Sequence, residues 1–296
     1  MPEEVAVVAA ENRRLLQEVK ELRARVAALE SSRWWRLHPR FLVARVTRLG
    51  RKDTSSLVAR SHQESVAPVA PAEIDEALRP FREDVLERGS FRSDMVSWNL
   101  PRWEPFLRAL DGRNAHILEI GSFEGMSACY FLWRLRDAHV TCIDTFAGGA
   151  SFTALGADVG GLEATFDANV ALVDSSRIRK LVGKSADWLP QLLQEGEQFE
   201  LVFVDGSDLA LDVLIDAALS WQLLAPGGIM IFDNYLWRSP LGEDPLFQPA
   251  PAVDAFLELV RNHCDVLVKS NQVILRRSGA SQPEVAHAAA LASAQR

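Results

Sequence analysis

From His116 onward, short apolar runs alternate with longer stretches whose apolar residues recur at three- and four-residue spacing. The runs His116–Ile120, His139–Asp144, Ile178–Gly183, Leu201–Asp205, Gly228–Asp233, Val266–Lys269 and Val273–Arg276 predict strands. The stretches Met126–Leu135, Phe166–Val173, Asp187–Gln194, Leu211–Leu223 and Val253–His263 predict helices between most of them. Strand and helix in alternation imply right-handed crossovers and a doubly wound parallel sheet. Only Ser270-Asn271-Gln272 separates the last two runs, too short for a crossover, so they predict an antiparallel hairpin. The expected class is α/β: a mostly parallel seven-stranded sheet with an antiparallel C-terminal hairpin.

Upstream, Pro80–Arg88 reads as a helix stopped by Gly89, and Phe91–Asn99 leads through Pro101 to a second helix, Trp103–Leu110. These elements are placed to cover the crevice at the strand ends. The first thirty residues carry a heptad register, with Val5, Asn12, Val19 and Val26 at a and Val8, Leu15, Leu22 and Leu29 at d. Valine at a, leucine at d and one Asn at a predict a two-stranded parallel coiled coil, hence a homodimer. The other reading is a lone amphipathic helix packed on its own body. The expected organisation is a coiled-coil helix over 1–30, an arm and linker over 31–71, a catalytic-type domain over 72–277 and a loose tail over 278–296.

Charge changes this picture in one place. The 296-residue chain has a net charge of −8, yet Ser31–Lys52 holds seven Arg/Lys and no acid, which leaves −15 on the rest. An acidic body excludes a general nucleic-acid binder. The basic arm interleaves Trp34, Trp35, Leu37, Phe41, Leu42 and Val46 with its arginines, a composition suited to peripheral contact with an anionic membrane or a polyanion, or to a connector that packs its aromatics. Cys129, Cys142 and Cys264 are odd in number and lie in apolar contexts, as buried free thiols of a reducing compartment do. With no signal-peptide pattern and no run of about 18 apolar residues, a cytoplasmic protein is expected, held at the inner membrane surface if the arm binds there.

The chemistry gathers around HILEIGSFEGMS, His116–Ser127, a strand, a glycine turn and a helix start. A dinucleotide site needs G-x-G-x-x-G for backbone to approach a pyrophosphate. Here the spacing is Gly121-x-x-x-Gly125, with Phe123 where the second glycine would stand. S-adenosylmethionine has no phosphate and needs acceptors for an ammonium and a ribose diol. Glu119 and Asp144, at the ends of the first two strands, supply carboxylates for those groups, and Gly183-Lys184-Ser185-Ala186 is placed to line an adenine. The cofactor-binding set read here is Glu119, Gly121, Ser122, Gly125, Ser127, Asp144, Gly183, Ser185 and Asp205.

The motifs LEIGSFEGMSA, TCIDTF, LVGKS, LVFVDGSD and LLAPGGIMIFDNY resemble class I S-adenosylmethionine-dependent methyltransferases. They are similar in particular to the group with D-G-S-H followed by G-G-x-x-x-x-D-D-Y, related to metal-dependent catechol-type O-methyltransferases. The similarity runs from about Phe91 to Arg276 and includes the lead-in Ser97, Asn99, Pro101 and Trp103. It implies an O-methyltransferase with Asp205, Asp233 and Asn234 as ligands of Mg²⁺ or Mn²⁺, and Asp205, Asp208 and Asp233 as the catalytic group. The motif histidine is replaced by Asp208 and the second motif Asp by Asn234. The alternative for Asp205 and Asp233 is strand capping, and for Asp208 capping of the helix that starts near Leu209. Tyr235, Trp237 and Arg238, with the Trp98/Trp103 region, point to a wall for a glycan or other small polar acceptor. S-S-x-x-W-R-L after a coiled coil also resembles N-terminal extensions of bacterial enzymes of surface-glycan assembly. The missing motif histidine, with Asp208 in its place, makes a non-catalytic S-adenosylmethionine-binding or scaffold subunit, its function carried by the coiled coil and basic arm, the alternative.

Overall fold

The computed structural model describes residue 76 and residues 78–279; the coiled-coil, basic-arm and linker expectations, and nearly all of the expected loose tail, fall outside these. The strands are β1 (His116–Ile120), β2 (His139–Asp144), β3 (Ile178–Val182), β4 (Phe199–Val204), β5 (Leu224–Phe232), β6 (Cys264–Lys269) and β7 (Val273–Arg277). They form one sheet in the order β3-β2-β1-β4-β5-β7-β6, parallel through β5, with β7 antiparallel to both β5 and β6. The doubly wound sheet and its terminal hairpin are therefore as expected. β1 and β4 are buried on both faces, which is why HILEI and FELVFV read as nearly continuous apolar runs.

The helices are α1 (Leu100–Arg108), α2 (Met126–Arg134), α3 (Ala150–Ala154), α4 (Leu162–Ala171), α5 (Ser185–Glu195), α6 (Ala210–Leu223) and α7 (Pro249–Val260). Boundaries differ from expectation where glycine or proline sets them. α4 starts at Leu162 because Gly161 (φ 72°) can take the left-handed turn before it. α7 starts at Pro249 because proline is preorganised for a first helical turn. β5 begins at Leu224, not Gly228: the register against β4 shifts between Phe199 and Leu201, so Ala225–Gly228 bulge out of the ladder and a proline is accommodated. The short α3 was not foreseen.

Apolar side chains fill both faces of the sheet. On one side α2 is buried along nearly its whole length, under α1 and a helical segment that ends in the π-turn Arg82–Leu86. Phe81 meets Tyr130 edge-on at 5.0 Å, and Trp103 stacks on Phe131 at 5.2 Å. On the other side α5, α6 and α7 pack over Leu118, Ile120, Val202 and Met230. No helix among the described residues is long and apolar enough to cross a membrane.

Candidate functional site

The carboxyl ends of β1 to β4 open on a cleft of about 400 Å³. It lies where the chain leaves β1 toward β2 on one side while β4 stands on the other, the switch point at which open α/β sheets bind ligands. Phe91, Met95 and Val96 roof it from upstream of α1, so the expected cover is in place.

Close packing shapes the turn after β1. A Cβ on Gly121 (φ +86°) would sit 2.2 Å from the Asp205 carbonyl oxygen, so the glycine lets the turn press against the loop after β4. The turn is then tied to β2: Asp144 Oδ2 accepts from the Ser122 and Phe123 amides at 2.8 and 2.7 Å, and its Oδ1 from the Phe146 amide at 2.7 Å. Among the described residues, three that are not glycine hold left-handed backbone, Phe123 (φ 47°), Phe146 (φ 50°) and Asn234 (φ 58°), after β1, β2 and β5. Such conformations cost about 1–3 kcal/mol each and persist where the surroundings enforce them. The Phe123 ring stacks on Phe152 of α3 at 4.9 Å and closes the cleft on that side. A phenylalanine in mid-turn leaves no cradle for a pyrophosphate. The cleft's size and polar ends do suit a nucleoside joined to an amino acid.

Of the expected cofactor residues, Gly121, Ser122, Ser127, Asp144, Gly183, Ser185 and Asp205 line the cleft. Glu119 and Gly125 do not. Residues alternate faces along a strand: Ile120 borders the cleft, and Glu119 points to the α2 side, fully buried. Glu119 Oε2 accepts from the Cys142 thiol at 3.4 Å, and its Oε1 has no partner. Burial pushes this carboxyl up to about 7, against the hydroxyls of Ser122 and Ser127, which lie between it and the cleft. Gly125 is the turn before α2 and packs against Phe166.

Sequence reasoning missed Phe152 and two acids of α6, Asp212 and Asp216, which also line the cleft. Asp216 sits in the buried, mostly apolar stripe of α6, beside Val213 and Ala217. An acid at a position where the 3.6-residue period demands an apolar side chain was the signal available.

The acids after β4 and β5 converge. The Asp205 amide donates to Ile120 O and the Asp233 amide to Val204 O, which sets the two residues side by side. Asn234 Nδ2 donates to Asp205 Oδ1 at 2.9 Å, and Asp233 Oδ1 accepts from the Asn234 amide at 2.8 Å. Burial pushes the Asp205 carboxyl well above the usual range, with the Asp233 and Asp208 charges adding to it, and burial raises Asp233 to about 6. Asp208 is also raised by burial, with the Ser151 hydroxyl opposing. Asp208 is not the cap of α6. That loop is held by Ser207, whose hydroxyl accepts from the Leu209 amide and donates to Asp212. Among the described residues no three His, Cys, Asp or Glu side chains are grouped to hold a metal. Two crowded carboxylates are nevertheless hard-oxygen donors of the kind a divalent cation takes, and Asn234, whose Nδ2 faces Asp205 here, would have to turn its amide over to add an oxygen.

None of the residues expected to form an aromatic wall lines this cleft. Trp103 is fully buried and donates its indole N–H to Gln272 Oε1 at 2.9 Å. Tyr235 faces away, its hydroxyl on Asp254 and its ring under the Lys269 ammonium. Trp98 and Trp237 are exposed outside the cleft.

Residues 118–235 match a family described as a methyltransferase domain. No curated protein matches the chain. Among solved structures it is similar to MycE methyltransferase from the mycinamycin biosynthetic pathway in complex with Mg, SAH and mycinamycin VI, at 17% identity and TM-score 0.48 over 70% of this chain and 54% of that one. It is also similar to an O-methyltransferase from Bacillus cereus in complex with SAH, at 15% identity and TM-score 0.46 over 73% and 94%. A third is the O-methyltransferase TomG from Streptomyces achromogenes, involved in tomaymycin synthesis and in complex with SAM, at 19% identity and TM-score 0.46 over 80% and 95%. The chain thus spans about half the length of MycE.

Proposed function

We propose that this chain, whose residues 118–235 match a family described as a methyltransferase domain, is an S-adenosylmethionine-dependent O-methyltransferase assisted by Mg²⁺ or Mn²⁺. The acceptor in this reading is a hydroxyl of a glycan, sugar or other small polar molecule. The observation that carries it is that Asp205 borders the cleft beside the Asp144-tied turn after β1 and at the same time stands against Asp233 and Asn234, with the Asp208 charge nearby.

When bound, the cofactor supplies a methyl group on a sulfonium, and a divalent cation supplies positive charge that favours the ionised acceptor. Asp144 keeps the turn in shape with three backbone bonds and offers its remaining lone pairs to the ribose diol. Ser122 and Ser127 face the amino-acid end, and Gly183 and Ser185 the adenine end. Asp205, Asp233 and Asn234 would hold the cation. Asp208 takes the acceptor proton on a carboxylate oxygen. Burial raises its basicity toward what a general base requires, and this offsets the loss of the motif histidine. Phe91, Met95, Val96, Phe123 and Phe152 keep water from the reacting centre.

The glycan end of the acceptor range rests on the Ser31–Leu37 segment and its likeness to glycan-assembly enzymes. The same reading takes the chain as a homodimer through the coiled coil, with the basic arm touching an anionic membrane surface.

Calorimetry of the full chain with S-adenosylmethionine, followed by methyl transfer to extracted surface glycans with and without EDTA, tests the proposal. Binding, and transfer that EDTA abolishes and Mg²⁺ or Mn²⁺ restores, are expected. Asp233→Ala should then stop transfer and leave binding in place. Tight binding with no transfer under any metal would favour the scaffold subunit instead.

A further inference from the structure

Glu124 and Asn169 have no part in the mechanism above, yet both are polar side chains with only 3% and 1% of their surface exposed. Glu124 belongs to the turn after β1, and Asn169 to α4, which packs behind that turn. Both reach the cover over residues 90–96, which brings Phe91, Ser93, Met95 and Val96 to the cleft and belongs to no helix or strand. Asn169 Oδ1 accepts from the Ser90 amide at 2.8 Å, and its Nδ2 donates to Ser90 O at 3.2 Å and to Glu124 O at 2.8 Å. Glu124 Oε2 accepts from the Arg92 amide at 2.8 Å. Its Oε1 accepts no hydrogen bond and stands 3.1 Å from Arg92 Nε as an ion pair. The Arg92 guanidinium goes on to donate to the carbonyls of Asp158 and Gly160, the latter at 2.6 Å. Val159, between them, lies against Gly148 in the wall of the cleft.

The cover is thus held by two buried side chains and not by a strand ladder. Lifting it would leave the Glu124 carboxylate and the Asn169 amide without these partners, and a buried charge stripped of its partner is strongly destabilising. The cover therefore comes away only if the turn loosens with it. On the cofactor reading above, that same turn, tied through the Ser122 and Phe123 amides to Asp144, is what the ligand settles on. Whatever fixes the turn then fixes the cover, and linkage makes the effect mutual.

We propose that Glu124 and Arg92 are a positioning pair that latches the cover to the cofactor turn, so that a ligand seated on the turn also closes the roof over the acceptor side. This inference rests on the S-adenosylmethionine reading and adds to it two residues that act through the cover. Arg92 extends the latch to the Asp158–Gly160 carbonyls, so one guanidinium joins the turn, the roof and the wall beside Gly148.

Hydrogen exchange of the full chain, followed by mass spectrometry with and without saturating S-adenosylhomocysteine, tests this. In the wild type the ligand should slow exchange over 90–97 as well as over 121–127. In Arg92→Gln, which removes the guanidinium from a partly exposed position, the ligand should still slow exchange in the turn, while its effect on the cover falls by about tenfold. Glu124→Gln, which keeps the shape and removes the charge, should do the same. A merely structural role would speed exchange of the cover with and without ligand alike, so an unchanged ligand effect in either variant overturns the inference. So does a wild type in which the ligand protects the turn and not the cover, and this arm decides alone if neither variant folds and binds. Failure of the wild type to bind S-adenosylhomocysteine overturns the cofactor reading itself.

Discussion

Replacing Glu119 by Gln should make the protein more stable, and increasingly so as the pH rises. Glu119 is fully buried, accepts one weak bond from the Cys142 thiol and leaves Oε1 unpaired. Burial lifts its pKa from 4.5 to about 7. Between those values the folded protein holds a proton that the unfolded chain has released, so folding loses stability as pH rises through this window. At about 1.4 kcal/mol per pH unit, the complete penalty is about 3 kcal/mol. It is absent below pH 4.5, accrues mainly between pH 5 and 7, and is fully present above 7. Glutamine carries no such proton, and the hydroxyls of Ser122 and Ser127 can accept from its amide. Urea unfolding of wild type and Glu119→Gln at pH 5 and pH 8 measures the effect. The stability gap should widen in favour of the variant by about 2 kcal/mol, or roughly 4–8 °C in Tm for a domain of this size. The raised acids Asp216 and Asp233 tilt both proteins alike and cancel in the difference, whereas Asp205, which the Glu119 charge helps to raise, eases in the variant and adds to the gap. A gap that stays constant within about 0.5 kcal/mol, or widens in the opposite direction, would refute a buried, proton-holding Glu119.

Gly121→Ala should lower Tm strongly and weaken cofactor affinity, since its methyl group would meet the Asp205 carbonyl at 2.2 Å in a φ +86° backbone; a melting curve superimposable on wild type would contradict that close approach. Asp208→Asn should cut kcat by about 100-fold or more with S-adenosylmethionine affinity unchanged, read by steady-state kinetics beside calorimetry. Asp208→His should restore part of kcat, with a rate that climbs through the histidine pKa.

The seven strands, their order along the chain and the closing hairpin could be read from period and spacing, because strands buried on both faces must be apolar and a three-residue connection cannot cross a sheet. The turn at Gly121–Gly125 and the acids at 144, 205 and 233 were also visible, since they stand where apolar runs stop. Which way each side chain faces was not. Glu119 and Ile120 are adjacent in sequence and fall on opposite sides of the sheet, so one borders the cleft and the other is sealed behind it. Trp103 and Tyr235 resemble a binding wall in sequence and are turned into the core and onto Asp254. Asp216 is distant in sequence from every strand-end motif, and only the packing of α6 against the start of α5 brings it to the cleft. Local pattern determined the elements and their handedness, because those follow from backbone geometry and apolar period within a few residues. The site depended on which elements meet, because its distances and burial arise between segments far apart in the chain.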